Sequence, residues 1–374
     1  MHYDIAIIGA GIAGLSAASE LARLLGTGRG ICVLEAEDAV AQHSSARSAQ
    51  QLIPSYGPEP VLELTRWSIA ELVQASAHLS SPLVWASPFV VAGSPEDVTA
   101  ETVPGMRSLS GAELFTLCPE LQADAGRYPA AAVDDSAVRS DATALLTWHR
   151  SRAESAGVTV RTGFRVGTAH RAGGVWELTT AVGARGAEPG GVVRAGTVVN
   201  AAGAWAEDVG SLLGAALQGL QPLRRTAALV RLAEAMPPEH PMAMDAARHW
   251  YYRPDPVGAM VSVGESEPSE ACDARPHPGA VERLVATVEA HTDLRITGVA
   301  KAWTGLRTRR ASDLPVCGWD AAAEGVFWLA GQGGYGFQTS AGMARAAAEQ
   351  IVAGSVGEWL SPETVAALQP ECAA

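Results

Sequence analysis

The chain is short of charge, of basic residues in particular, and of cysteine. Charged residues make up 18% of its 374 positions and the net charge is −13, so the electrostatic footprint of a nucleic-acid binder is missing. The five cysteines, Cys32, Cys118, Cys272, Cys317 and Cys372, are odd in number, scattered, and free of C-x-x-C or metal-ligand spacing. That excludes a disulfide framework and a sequence-encoded metal site, and fits thiols kept reduced. Long apolar runs are absent too. The N-terminal one is broken by three glycines and follows no basic region, so neither a signal peptide nor an integral membrane segment is expected. No internal repeat, coiled coil or low-complexity tract appears. These absences leave a cytoplasmic globular protein, 48% hydrophobic, with length enough for two domains.

What is present begins at Tyr3. Ile5 to Ile8 form a short apolar run suited to a strand buried on both faces. Gly9, Gly11 and Gly14 follow in G-x-G-x-x-G spacing, and Ile12, Leu15, Ala18, Leu21, Leu24 and Leu25 recur at a helical period up to Gly26. A helix starting inside the glycines exposes unpaired N–H groups at the positive end of its dipole, where a pyrophosphate can dock if no side chain obstructs it. A second apolar run, Ile31 to Leu34, ends in Glu35, 21 residues after Gly14. In a right-handed β-α-β unit that carboxylate lies beside the pyrophosphate and accepts from ribose hydroxyls. The unit predicts a dinucleotide site without choosing between NAD and FAD.

Residues 36 to 57, rich in small and hydroxyl side chains, read as loop wrapping a second face of that cofactor, with His43, Ser44, Ser45 and Ser48 as surface helix caps in the plainer reading. Helices are expected over 60–80, 111–117, 141–156, 205–213 and 281–291, and strands over 83–91, 158–161, 175–180 and 192–199, with the Gly/Pro-rich run 184–191 as a hairpin turn. The run T-V-V-N-A-A-G-A-W at 197–205 ends a buried strand in small residues, which admit either a ligand or close packing. From Thr226 to Gly264 the pattern becomes longer alternating strands, an antiparallel sheet and so a second domain.

The last third returns to the first architecture. A buried strand at 325–330 runs into G-Q-G-G-Y-G-F-Q-T-S and a helix from about Gln338 to Val352. Two glycine-lined helix starts exceed what NAD needs, whereas FAD uses one for its pyrophosphate and profits from another near the flavin pyrimidine, where negative charge accumulates on reduction.

These blocks, together with H-S-S-A-R-S-A at 43–49, S-Y-G at 55–57, G-L-Q-P-L-R-R at 219–225 and W-T-G-L-R at 303–307, resemble the FAD-dependent D-amino acid oxidase and glycine oxidase superfamily, most nearly its bacterial D-arginine dehydrogenases. The resemblance spans nearly the whole chain. It implies an α/β fold: a Rossmann-type FAD-binding domain (1–80, 140–215, 300–374) interleaved with an antiparallel-sheet substrate domain (81–139, 216–299). It implies noncovalent FAD, since no cysteine lies where sarcosine oxidases of the family tether their flavin. It assigns the FAD to Gly9, Gly11, Ala13, Gly14, Glu35 and Ala36, to His43, Ser44, Ser45, Arg47, Ser48, Ala49 and Gln50, to the backbone of Val166, to Ala202 and Gly203, and to Arg307, Gly333, Gly334, Tyr335, Gly336 and Gln338. Arg225, Tyr251 and Arg307 match positions that hold a substrate carboxylate, Tyr56 a tyrosine on a mobile lid, and Gln51, Phe89 and Gly334 further substrate contacts.

Alternation along a strand lets only one of Arg224 and Arg225, and one of Tyr251 and Tyr252, face a pocket; the resemblance favours Arg225 and Tyr251. A three-arginine group at 307, 309 and 310 is by itself a solvated face. Two departures bear on substrate. Gln51 stands where those dehydrogenases have a histidine, and Pro88 or Phe89 where they have a glutamate for the guanidinium. A cationic side chain would then lack its buried partner, at a cost of several kcal/mol. The expected substrate is therefore a D-amino acid with an uncharged side chain, apolar or aromatic. Hydride transfer from Cα to flavin N5 would give an imino acid that hydrolyses to a 2-oxo acid and ammonia. The alternatives are oxidation of glycine, sarcosine or another secondary amine, dehydrogenation of a 2-hydroxy acid, or an electron-carrying flavoprotein subunit. The electron acceptor, oxygen or a quinone or carrier, stays open.

Overall fold

A computed structural model describes residues 1–181 and 191–371. Apart from Gly191, the expected hairpin turn lies outside the described residues. The apolar runs become the centre of an eight-stranded sheet. His2–Ile8 pairs in parallel with Ile31–Leu34 on one side and Val192–Asn200 on the other. Thr159–Arg161 extends the parallel set beyond Ile31–Leu34, and Val326–Ala330 beyond Val192–Asn200. Antiparallel strands lie beyond Val192–Asn200 only: Val175–Thr180 with Val166–Ala172 along its first half, and Val316–Trp319 paired to Val326–Ala330 along its second, while Thr159–Arg161 forms the opposite edge.

Helices Ile12–Leu25, Ala142–Ser155 and Ser340–Ala353 cover one face of this sheet, burying Leu15, Leu21, Leu145 and Met343 against Ile7, Val33 and Phe327. Phe164, Trp176, Val209 and Leu213 cover the other face. Burial on both faces explains why the central strands read as continuous apolar runs and not as alternations. The first helix ends where the sequence predicts, at Gly26, whose φ of 69° is the left-handed conformation of a C-terminal glycine.

The second domain is a nine-stranded, mostly antiparallel sheet. Its spine is a ribbon of two long strands, Gln221–Leu232 and Ile296–Arg309, paired along their whole length with Arg225 opposite Gly305 and Leu223 opposite Arg307. The boundary expected at 299/300 therefore falls inside one strand, which stays in the substrate sheet as far as Arg309. A second expectation needs correction. The single strand predicted over 83–91 is two, Val84–Ala86 in a small three-stranded sheet and Phe89–Gly93 in the large one. Between them Pro88 has no N–H to continue a ladder, and the chain changes sheet there.

Glu120 and His240 meet on the far side of this domain, close to the buried Tyr252. His240 Nε2 lies 3.3 Å from Glu120 Oε2, its Nδ1 lies 2.8 Å from Pro241 O, and Tyr252 OH donates to the other Glu120 oxygen. Burial disfavours the imidazolium, but the hydrogen bond and charge of Glu120 outweigh it and raise the His240 pKa above its ordinary 6.5. Because the folded pKa is the higher one, the stabilisation is fully present below 6.5 and is lost as pH rises through the raised value. The melting-temperature difference between wild type and His240→Gln should therefore be largest at about pH 6 and shrink towards about pH 9. A difference independent of pH would rule out the ion pair.

Candidate active site

A trough runs along the carboxyl ends of the parallel strands and continues under the large sheet, made of three cavities that share walls. The first, of 490 Å³, has Gly9, Gly11, Glu35, Ala36, His43, Val166, Ala202, Gly203 and Trp205 among its walls. Gly9 has φ 106°, and a side chain there would meet Ala201 O at 2.5 Å. Gly14 does not line the trough. It lets the helix sit on the strand, since a Cβ there would fall 1.9 Å from Gly9 O. The close contact aims the N-terminus of helix Ile12–Leu25 along the trough. Leu15 N is the first to find an acceptor in the turn, Gly11 O at 3.0 Å, and Ile12 N is taken by Ser45 Oγ at 2.9 Å. Ala13, on this first turn, lines the middle cavity.

Glu35 is held by two backbone donors, Ala10 N to Oε2 at 2.8 Å and Glu37 N to Oε1 at 3.0 Å. His43 packs tilted against Trp205 with ring centroids 4.6 Å apart, and its buried Nδ1 has no hydrogen-bond partner. A glycine-cleared wall, an open helix start, a fixed carboxylate and an orphaned buried nitrogen all fit FAD, the cofactor that the resemblance implies. When bound, FAD supplies a two-electron acceptor.

The middle cavity, of 160 Å³, lies between segment 44–51, the ribbon strand Ile296–Arg309 and the glycine loop, of which Gly333, Gly334 and Gly336 form wall. Several bonds lace these together. Ser44 Oγ donates to Leu306 O at 2.7 Å, Arg47 Nη1 to Thr304 O at 2.9 Å, and Trp303 Nε1 to Arg47 O at 3.3 Å. Arg47 also pairs with Asp273, so its guanidinium serves as a clamp while the residue still lines the wall. Ser48 and Ala49 line the same cavity. Gln50 lines none of the three; its φ is 65° and its carbonyl accepts from Ser140 N at 2.9 Å.

The third cavity, of 180 Å³, collects the substrate candidates Tyr56, Phe89, Arg225, Tyr251, Arg307 and Gly334. The strand pairs part as alternation requires. Arg225 faces the cavity while Arg224 turns to Arg275 O, and Tyr251 faces it while Tyr252 turns to Glu120. Arg225 Nε donates to Glu265 O at 2.6 Å, and Arg307 Nη2 to Tyr251 OH at 3.3 Å. Among the described residues neither guanidinium pairs with a carboxylate. Burial, then the like charge of Arg307, lowers the Arg225 pKa. Burial acts the same way on Arg307, but the phenols of Tyr251, Tyr56 and Tyr335 outweigh it and raise that pKa. Tyr251 responds in turn: burial would raise its pKa, and the two arginines bring it below the usual tyrosine value.

Tyr56 packs 5.7 Å from Tyr335, and Arg248, paired with Glu101, lies 5.7 Å over its ring. The Gln338 side chain fixes the backbone of this segment by donating to Tyr56 O at 3.1 Å. Gln51 spends its amide on Ser87 O at 2.7 Å.

Several walls escaped the sequence reading. Met242 and Met244 alternate onto the cavity face of a short strand, a period of two legible in P-M-A-M-D. Arg248, Glu265 and Asp313 arrive from loops that carry no such signal. Both carboxylates are committed, Glu265 to Thr226 N at 2.8 Å and Asp313 to Arg309 and to Tyr335 OH, each at 2.9 Å. No cysteine lines the trough among the described residues. Elsewhere Cys118, Glu120 and His240 bring ligand atoms within 4.8 Å of one another, a grouping that no spacing announced, though Glu120 and His240 are already bonded to each other, Tyr252 and Pro241.

Gly14→Ala should weaken FAD binding at least about 10-fold, because the helix start must shift off the strand. Titration of apoprotein with FAD measures it; unchanged affinity would show that this helix start does not position the cofactor.

The model of the FAD dependent oxidoreductase family matches residues 4–350. Among solved structures, glycine oxidase from Geobacillus kaustophilus superposes with a TM-score of 0.81 at 19% identity, covering 100% of this chain and 99% of that one. L-proline dehydrogenase from P. horikoshii gives 0.80 at 19%, covering 99% of each chain. L-amino acid deaminase from Proteus vulgaris gives 0.76 at 16%, covering 97% and 96%. At these identities the structures speak for the fold. With the family model covering most of the chain, and a trough built for the cofactor, this protein belongs to the FAD dependent oxidoreductases, and its cofactor is FAD.

Proposed function

We propose that the protein oxidises a D-amino acid with an uncharged, apolar or aromatic side chain, giving an imino acid that hydrolyses to a 2-oxo acid and ammonia, with FAD held noncovalently. The observation that carries this reading is the pair of guanidinium groups, Arg225 and Arg307, which face one cavity and, among the described residues, pair with no carboxylate. Two like charges in one cavity are unfavourable until an anion joins them, and a carboxylate matches the planar fork of each arginine. Tyr251, hydrogen-bonded to Arg307 Nη2 at 3.3 Å, sets the direction of that fork.

The rest of the cavity bears on the side chain. Ile53, Phe89, Met242 and Met244 make an apolar bed suited to an apolar side chain, while Asp313 is paired with Arg309 and the Glu265 carboxylate is held to the backbone by Thr226 N at 2.8 Å. Tyr56, between Tyr335 and Arg248, acts as the lid that excludes water. With Gln51 bonded to Ser87, no free general base faces the substrate, and the amine must arrive neutral or lose its proton to water. The 180 Å³ of the cavity also suits a small amine of the glycine, sarcosine or proline kind, the second reading.

Anaerobic mixing with D-amino acids, their L-enantiomers, sarcosine and proline should bleach flavin absorbance with apolar D-amino acids, and readmission of air separates oxidase from dehydrogenase. Bleaching by L-enantiomers or secondary amines alone would overturn the assignment. Arg307→Met is expected to lower kcat/KM by about 3 kcal/mol, a factor on the order of 10², with FAD retained. Loss of FAD from that variant would make the arginine structural.

A further inference from the structure

Behind the cofactor helix, on the side away from the trough, lies a separate cavity of 320 Å³. Helices Ile12–Leu25, Glu59–Ser76, Ala142–Ser155 and Ser340–Ala353 all contribute to it. Two of its buried polar side chains, His149 and Ser19, are not satisfied by the protein. His149 is 3% exposed, and both its ring nitrogens lack a hydrogen-bond partner. Burial, then the nearby Arg152, pushes its pKa down to about 3, so the imidazole is neutral and offers one donor and one acceptor, both unspent. Ser19, 4% exposed, likewise has an unpartnered hydroxyl. A buried polar group left unpaired costs free energy, and two lining one cavity mark a place where something else completes them.

The charges narrow the class of occupant. Arg23 is tied to Glu20 through Nε at 2.9 Å and Nη2 at 2.7 Å, and Glu20 also takes Arg345 Nη1 at 3.2 Å. Arg152 has no ion pair with an acid among the described residues. Its guanidinium instead lies 4.5 Å from the ring centre of Trp148. Stacked on an indole, a guanidinium keeps its in-plane N–H edge open for a carboxylate fork. Trp67 adds a second indole from another helix. Glu71, the remaining acid of the lining, is exposed.

We propose that this cavity is a second ligand site, for a small planar aromatic carboxylate: the carboxylate on Arg152, the ring against Trp148 and Trp67, and a ring N–H or polar substituent on His149 and Ser19. Its occupant would rest on Ser19 and Arg23 of the same helix whose first turn faces the cofactor. The inference does not depend on the substrate proposed above, since none of its residues lines the trough.

The test is calorimetric titration of indole-2-carboxylate, up to about 1 mM, into the FAD holoenzyme and into its Arg307→Met variant, which disables the competing arginine site. Binding is expected in both, at least about 10-fold weaker in Arg152→Gln and in His149→Phe, and weaker for indole, which lacks the carboxylate. Each variant is accepted only with wild-type FAD content, and Arg152→Lys stands in for Arg152→Gln should that fail to fold; losing the fork, it is expected to bind weakly as well. Absence of binding to the holoenzyme would overturn the proposal. So would binding that survives Arg152→Gln and His149→Phe but vanishes in Arg307→Met.

Discussion

The antiparallel ribbon of Gln221–Leu232 and Ile296–Arg309 is the constraint on which the substrate site rests. Its register sets Arg225 opposite Gly305 and Arg307 opposite Leu223, so the two arginines are diagonal neighbours on one face. One rung further along, Ala227 pairs with Trp303 and with Ser262, and Ser262 pairs with Tyr251. A slip of one residue would turn the whole set to the opposite face. Glycine at 305 leaves the space beside Arg225 free of a side chain. The same strand then reaches the cofactor side, where Leu306 O and Thr304 O take up Ser44 and Arg47. One element thus fixes both the two arginines proposed to hold a carboxylate and the loop expected to lie along the flavin.

The cofactor half depends on a different closeness, backbone against backbone. Gly14 sits on Gly9 and Gly9 on Ala201, so the helix start and the small-residue strand end converge at a distance no side chain allows. Around that contact lie groups with bonding capacity left over: the first turn of the helix, His43 Nδ1, which has no hydrogen-bond partner, and further along the two guanidinium groups, neither of which pairs with a carboxylate among the described residues. A line of polar groups open to one continuous trough fits the path of a ligand.

Much of this was legible in the sequence, and for identifiable reasons. Local spacing is covalent information: G-x-G-x-x-G before a helical period, an acid after the next apolar run, and a second glycine loop before a second helix each state a local geometry that burial then preserves. Alternation narrowed Arg224/Arg225 and Tyr251/Tyr252 to one inward residue apiece. The strand expected over 83–91 went wrong because apolar character persists across Pro88 while the hydrogen-bonding direction does not. Pro88 marks where the ladder must stop, but not that the chain leaves one sheet for another there.

The amino-acid order by itself determined the dinucleotide unit and the α/β pattern of strands and helices, because each depends on neighbours within a strand or one helical turn, whereas the candidates for holding a carboxylate came from the family resemblance. Only the tertiary structure decided that Glu265 and Asp313 reach the substrate cavity already committed to partners, that Arg47 is a clamp on Asp273, and that His149 and Arg152 are left facing a cavity of their own. Those outcomes turn on which distant side chain arrives to satisfy a buried charge or hydrogen bond. Such partners come from loops and helix faces whose meeting is set by packing, and spacing along the chain does not encode it.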